Sequence, residues 1–352
     1  MKILHFAVEN FARVPGNLVQ AERTLGHDSY LMTMYATAHR FQDADYCLRL
    51  PFVGSRTAGM IKSVFRSEQS QSNKRKDVSL GKPMWSPKNK AAAGLFDLRD
   101  RFWEDRIRNM LASIDIGSFD LLVLDGGLGF LRNGKIIQEL KAGGMKIGIL
   151  YCGSDLRTRG IIPAVDRLAD ARFTVEFDHT LLDPSLTFLY FPFQLPDFEE
   201  PLPDKNPVIR IGHAPTNRAV KGTDQILKEL EPIKNTHPVE IVLIEGLAHQ
   251  KALTLKKSCD IFIDNIGELG YGINGLESLA MGIPTAVQLL PDFEVLLGDH
   301  PFINIAQGCI AGKLIPFIES ESLRKKVGVD SQNWVHERHH PLQISRKMLS
   351  FF

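Results

Sequence analysis

Residues 210 to 227 read RIGHAPTNRAVKGTDQIL, an apolar stretch running into a helical pattern with Arg218, Lys221 and Gly222 at the junction. A helix start already favours anions, because its first backbone N–H groups are unpaired and its dipole is positive there. Two added cations suit that junction to a diphosphate; the plainer reading of Lys221 is a surface lysine. A second stretch, CDIFIDNIGELGYGINGLESLAMGIPTAVQ from 259 to 288, passes from a strand through a glycine-rich loop into a helix starting near Asn274. Its glycines, Gly267, Gly270, Gly272 and Gly275, let backbone approach a ligand closely. Glu277, read as lying in the first helical turn, offers a carboxylate to vicinal hydroxyls. A glutamate there also complements a helix dipole, by about 0.3 to 1 kcal/mol. Nearer the start, VENFARVPGNLVQAERTLGHDS places Gly16 at a helix N-terminus, where bare backbone N–H groups can face a phosphate or sugar, unless Pro15-Gly16 is only a turn. Asp155 and Arg157, in GSDLR, either bind hydroxyls or form a local ion pair.

These stretches need strand ends and helix starts to hold them. In the first half the apolar runs KILHFAV, DSYLMTMY, DLLVLD, MKIGILY, ARFTVEF and TFLYF read as strands, with helical patterns over 18 to 26, 95 to 113 and 135 to 144. The second half repeats the alternation from VIRIGHA through VEIVLIE, CDIFIDN and IPTAVQ, and ends in helical patterns over SLRKKVGVDSQNWVHERHH and PLQISRKMLSFF. Alternating strands and helices imply parallel sheets covered on both faces. Five prolines in FPFQLPDFEEPLPDKNP, 191 to 207, mark a linker. The expected division is an N-terminal domain over 1–195, a linker over 196–207, a second domain over 208–335 and a C-terminal helix over 336–352 packing back on the first. Two such halves would place a ligand cleft at their strand ends.

With 352 residues, 44% hydrophobic and 24% charged, the chain has an ordinary soluble composition. Its first apolar run is broken by Glu9, Asn10 and Arg13, which does not suit a signal peptide and points to the cytoplasm. The four cysteines lack metal or disulfide spacing and read as small buried residues. A net charge of +1 argues against nucleic-acid binding, yet residues 51 to 110 hold 13 Lys and Arg against 6 Asp and Glu. That segment could meet an anionic membrane or an anionic acceptor, or be a solvated loop. Three signals carry less. Asp43-Ala44-Asp45 matches a metal-binding DxD but suits a solvated turn. LDGGLGF has Arg132 where a nicotinamide-type GxGxxG needs its third glycine. His336, His339 and His340 suit a solvated helix end.

The spacing HAPTNRxxKGTD, then DIFID, then GYGxxxLESLAMGIPT, resembles the retaining glycosyltransferases of the large family numbered four. The likeness covers most of the second half and extends more loosely over the first. It implies an α/β protein of the GT-B fold, two Rossmann-like domains facing each other across a cleft. It implies that Arg218 and Lys221 grip the diphosphate of a sugar nucleotide and that Glu277 holds its ribose, with His213, Asn217, Gly222, Glu245, Tyr271 and Gly272 completing the donor set beside Gly16. Two positions depart from the family pattern. Leu269 stands where a glutamate often contacts the donor sugar, so Glu268, one place earlier, is expected to serve, and Cys152 stands where a histidine is usual. The implied activity is transfer of a sugar from a nucleoside-diphosphate sugar to a hydroxyl of a glycan or lipid-linked acceptor, with retention and with neither metal nor further cofactor. Alternatives are a sugar-nucleotide 2-epimerase of the same fold and a silent module that binds a sugar nucleotide or a partner protein.

Overall fold

The computed structural model describes residues 1–35, 44–51, 82–153, 155–200, 208–267 and 270–352. Asp43, Glu268, Leu269 and residues 52–81 of the basic segment lie outside them. The chain forms two compact units, Met1–Pro192 with Pro341–Phe352, and Phe193–His340. The crossings thus fall at Pro192 and His340, earlier and later than the composition suggests. Among the described residues no helix is long and apolar enough to cross a membrane.

The first unit is built on β1 (Lys2–Ala7), β2 (Asp28–Thr33), β3 (Tyr46–Cys47), β4 (Leu121–Asp125), β5 (Lys146–Tyr151), β6 (Ala171–Thr174) and β7 (Thr187–Phe188). They pair in the order β3-β2-β1-β4-β5-β6-β7, all parallel. Its helices are α1 (Val14–Thr24), α2 (Lys90–Ser113), α3 (Lys135–Ala142), α4 (Pro163–Asp166) and α5 (Phe177–Leu182). The central strands are buried on both faces, Leu121 through Leu124 being fully so, which is why they read as continuous apolar runs.

The second unit carries β8 (Ile209–His213), β9 (Val239–Leu243), β10 (Ile261–Ile263), β11 (Thr285–Val287) and β12 (Ile303–Asn304). Their order is β12-β11-β10-β8-β9, again parallel. Around them lie α6 (Arg218–Lys221), α7 (Thr223–Leu230), α8 (His249–Lys257), α9 (Ile273–Ala280), α10 (Pro291–Leu297), α11 (Ile310–Glu319) and α12 (Glu321–His339). Period-two alternation sorts β10 between two cores: Ile261 and Ile263 pack with Ile226 and Leu314, Phe262 with Leu253 and Met281. The last helix, α13 (Pro341–Leu349), belongs to the first unit, where Phe351 meets Phe173 edge-on at 5.1 Å.

Both sheets reverse their winding at one place, between β1 and β4 in the first unit and between β8 and β10 in the second. Loops leaving the carboxyl ends of strands diverge there, and open α/β sheets bind ligands at such points.

Candidate functional site

In the second unit the two sequence stretches meet at the β8/β10 switch point. The loop after β8 first winds into the short α6, which Asn217 caps by accepting from the Val220 amide at 3.1 Å. Gly222 then takes a left-handed turn at φ 70°, where a Cβ would stand 2.5 Å from Ile266 Cγ1, so both backbone and space require glycine. Helix α7 follows, with Thr223 as its first residue. Arg218 remains 48% exposed, with Glu245 at 3.5 Å and Asp224 at 3.9 Å. Lys221 differs from it: its side chain is 7% exposed and its Nζ lies 3.3 Å from Oδ1 of the fully buried Asp264. Asp264 Oδ2 in turn accepts the Gly272 amide at 2.8 Å. A Cβ on Gly275 would come within 3.0 Å of that oxygen, so this glycine admits the carboxylate. Asn274 donates to the Ala214 carbonyl at 3.1 Å and closes the ring between the two stretches.

Glu277 does not occupy a first helical turn. It is the fifth residue of α9, buried, with His249 Nε2 2.8 Å from Oε1 and the buried Lys256 ammonium against Oε2. Burial works to raise its carboxyl, but the Lys256 charge and the two hydrogen bonds outweigh that and hold it below the ordinary value. Lys256 also donates to Asn274 Oδ1 at 2.8 Å. His249 is the open member of this group, 31% exposed. Asp264, Lys256 and His249 were not singled out from sequence. Asp264 had a signal, a carboxylate ending the DIFID strand, whereas the other two sit in an unremarkable helical pattern.

Other expected donor residues lie inside the domain. His213 is fully buried, its Nδ1 2.8 Å from the Ile263 carbonyl oxygen and its Nε2 2.9 Å from Thr223 Oγ1. Burial pushes its pKa down, so it joins β8, β10 and α7 as a neutral ring instead of presenting itself at the surface. Tyr271 is stacked between Phe293 and Phe302 at 5.4 and 4.7 Å, with its hydroxyl 3.2 Å from His339 Nε2. His339 is thereby corrected as well: it is fully buried, not part of a solvated helix end.

The first unit has its own cluster at the β1/β4 switch point. His5, fully buried in β1, reaches Asp125 Oδ2 at 3.0 Å through Nδ1 and Glu22 Oε1 at 3.1 Å through Nε2. Burial would lower its pKa, but the Glu22 and Asp125 carboxylates override it and raise the value to about 10, which makes the ring an imidazolium. Asp125 Oδ1 and Asn10 Nδ2 are buried without hydrogen-bond partners. Buried polar atoms left open in this way mark places where a ligand or water completes the bonding. The loop above holds Ala12 and Arg13 at φ 49° and 59°, a left-handed pair of non-glycine residues of the kind that stores about 1 to 3 kcal/mol each. Gly16 is the third residue of α1, and its amide donates to Asn10 Oδ1 at 3.1 Å, so that group is taken. Asp155 accepts the Cys152 amide at 3.1 Å and lies 3.6 Å from Arg159, while Arg157 pairs with Asp178 at 2.6 Å. The two are therefore local ion-pair members, each with a different partner from the one considered. Burial pushes the Cys152 thiol well above its ordinary value. Cys152 and Cys259 are buried, and all four cysteines are free. Asp45 binds Arg23 at 2.7 Å and the Leu31 amide at 2.8 Å, a structural use.

Two solved structures align over nearly the whole chain. Sucrose-phosphate synthase from Thermosynechococcus elongatus gives a TM-score of 0.61 at 11% identity, covering 99% of this chain and 98% of that one. The glycosyltransferase SnogD from Streptomyces nogalater gives 0.53 at 16% identity, covering 99% of each. The chain has the GT-B fold. No protein-family profile matches it, and no curated protein is significantly similar in sequence. A shared fold at such identity carries no residue roles over to the switch-point clusters.

Two outcomes follow from the buried charges. Removing one member of the Lys256–Glu277 pair, by Lys256→Met or by Glu277→Gln, is expected to cost about 3 to 5 kcal/mol, while Lys256→Met with Glu277→Leu recovers most of the loss. Urea unfolding of the three variants measures this, and additive losses would show the pair is not coupled. His5 has a raised folded pKa, so its contribution is complete below about 6.5 and is lost as pH climbs through about 10. Stability should decline by up to about 1.4 kcal/mol per pH unit across that window, and His5→Asn should remove the slope. Unfolding free energies at pH 6.5, 8 and 9.5 test it, an unchanged slope in the variant being the contrary result.

Proposed function

We propose that the protein transfers a sugar from a nucleoside-diphosphate sugar to an acceptor hydroxyl. The observation that carries this reading is the convergence of Arg218, the Lys221–Asp264 pair and the Glu277–His249 pair on the strand ends of one GT-B domain. A diphosphate fits the Arg218 side, where a half-exposed guanidinium stands at the turn after β8. Lys221 has lost its freedom to Asp264, so its part is to set the Gly272 loop and lend charge from behind. The ribose fits the Glu277–His249 edge, with His249 as the group it meets and Glu277 as the anchor that orients the ring.

As the anomeric carbon–oxygen bond to phosphate breaks, negative charge grows on the leaving diphosphate, and preorganised cations stabilise that change more than they stabilise the bound donor. The acceptor oxygen forms the new bond to the anomeric carbon. Its proton passes to a phosphate oxygen when attack occurs on the face the diphosphate leaves, which is the retaining course and requires no protein base. The first unit would hold the acceptor, with Asp125 Oδ1 and Asn10 Nδ2 open for its hydroxyls. A glycan or lipid-linked acceptor and a cytoplasmic setting, with peripheral contact to an anionic membrane through 51–110, complete the proposal.

Thermal unfolding with UDP, GDP, ADP and NAD in turn tests the donor site. One nucleoside diphosphate at a hundred times its Kd should add about 2.7 kcal/mol, and Arg218→Ala should weaken that effect without lowering the stability of the free protein. No shift with any nucleotide would remove the donor-site reading.

A further inference from the structure

Arg132 lies in the loop between β4 and α3, and its side chain is used in an unusual way. Nε and Nη1 are both buried, and neither has a hydrogen-bond partner. The guanidinium is instead held between aromatic rings, 4.4 Å from the Trp85 centroid and 4.9 Å from that of Phe96. Its backbone amide donates to Asp100 Oδ2 at 2.8 Å, but Asp100 Oδ1 is claimed by Arg99. Arg99 also stands over Phe96, at 5.1 Å, so the two guanidinium carbons lie within 10.0 Å of each other. Arg159, near enough for its charge to act on Arg132, donates to the carbonyl of Gly126, the first residue after β4, and has Asp155 at 3.6 Å. Burial above all, with the positive charge of Arg99 and Arg159 added and the Asp100 carboxylate opposing, depresses the Arg132 pKa to about 9.

A chain does not gain stability from a buried guanidinium with open N–H groups next to two more cations. Removing such a charge from water is unfavourable unless an anion compensates it, and like charges add to the cost. Aromatic faces offset part of this, but they accept no N–H bonds in the guanidinium plane. Arginine's planar fork is shaped for carboxylate and phosphate oxygens. The loop carrying Arg132 leaves β4, one of the two switch-point strands of this sheet, where a ligand of the unit is expected.

We propose that Arg132, flanked by Arg99 and Arg159, binds an anionic group, a phosphate or carboxylate, at the carboxyl end of β4. If the first unit takes the acceptor, which rests on the function proposed above, the acceptor of this enzyme carries that anionic group. The anion site itself does not depend on that reading. It differs from the diphosphate position at Arg218, which lies in the other unit.

Isothermal titration with inorganic phosphate, at constant ionic strength in chloride, tests the site on the full chain. The expected result is millimolar or tighter binding that falls at least tenfold in Arg132→Met and in Arg159→Gln and persists in Arg218→Ala. Arg132→Met should also be no less stable than the parent without phosphate, since it removes an uncompensated charge, whereas a guanidinium serving only to pack the rings would be missed. Absence of phosphate binding, binding unchanged in Arg132→Met and Arg159→Gln, or marked loss of stability in Arg132→Met would each overturn the proposal. Glycerol 3-phosphate, glucuronate and phosphatidylglycerol vesicles then identify the source. Arg132-dependent binding to vesicles alone among the three assigns a lipid headgroup, and binding of a soluble compound assigns a free acceptor. A nucleotide-induced shift that survives in Arg132→Met keeps the donor reading separate from this one.

Discussion

Lys221 and Asp264 meet at 3.3 Å, both buried, and the loops at the β8/β10 switch point are arranged about that contact. An ammonium and a carboxylate withdrawn from water repay their desolvation only when remaining valences are satisfied. Here Asp264 uses its second oxygen on the Gly272 amide, so one ion pair ties the turn after β8, the end of β10 and the loop before α9. One glycine follows from it, because a side chain on Gly275 would press on the carboxylate. Gly222 has a separate cause, a left-handed turn and the Ile266 side chain against it.

The first unit solves a related problem with three groups. An imidazolium lies between Glu22 and Asp125 beneath the strand ends and leaves one oxygen of Asp125 open. Above it, two consecutive left-handed residues keep the loop after β1 in a conformation that its own sequence would not choose. The His5 imidazolium is stabilised by its two neighbours, whereas the left-handed pair above it is a local cost that the surrounding structure must offset.

The overall charge of +1 conceals this distribution. Positive charge is concentrated in the first unit between residues 51 and 110, and Arg99, inside that span, is joined in space by Arg132 and Arg159 from later loops. Composition registers the excess of lysine and arginine. Only the fold brings Arg99 from that span and Arg132 from a later loop to the same ring, Phe96.

The sequence alone determined the alternation of strands and helices, because apolar periodicity is set by neighbours a few residues away. It also determined that Arg218 and Gly222 stand at a turn leaving a strand, where local backbone chemistry suffices. Burial and partnership were decided by the tertiary structure. His213 and Tyr271, polar enough to suggest ligand contact, are enclosed by elements 50 and 68 residues away in the chain. Glu277 is neutralised by Lys256 across 21 residues, and His5 by Asp125 across 120. The energy of a charge depends on what surrounds it in three dimensions, and no local pattern encodes a partner that distant.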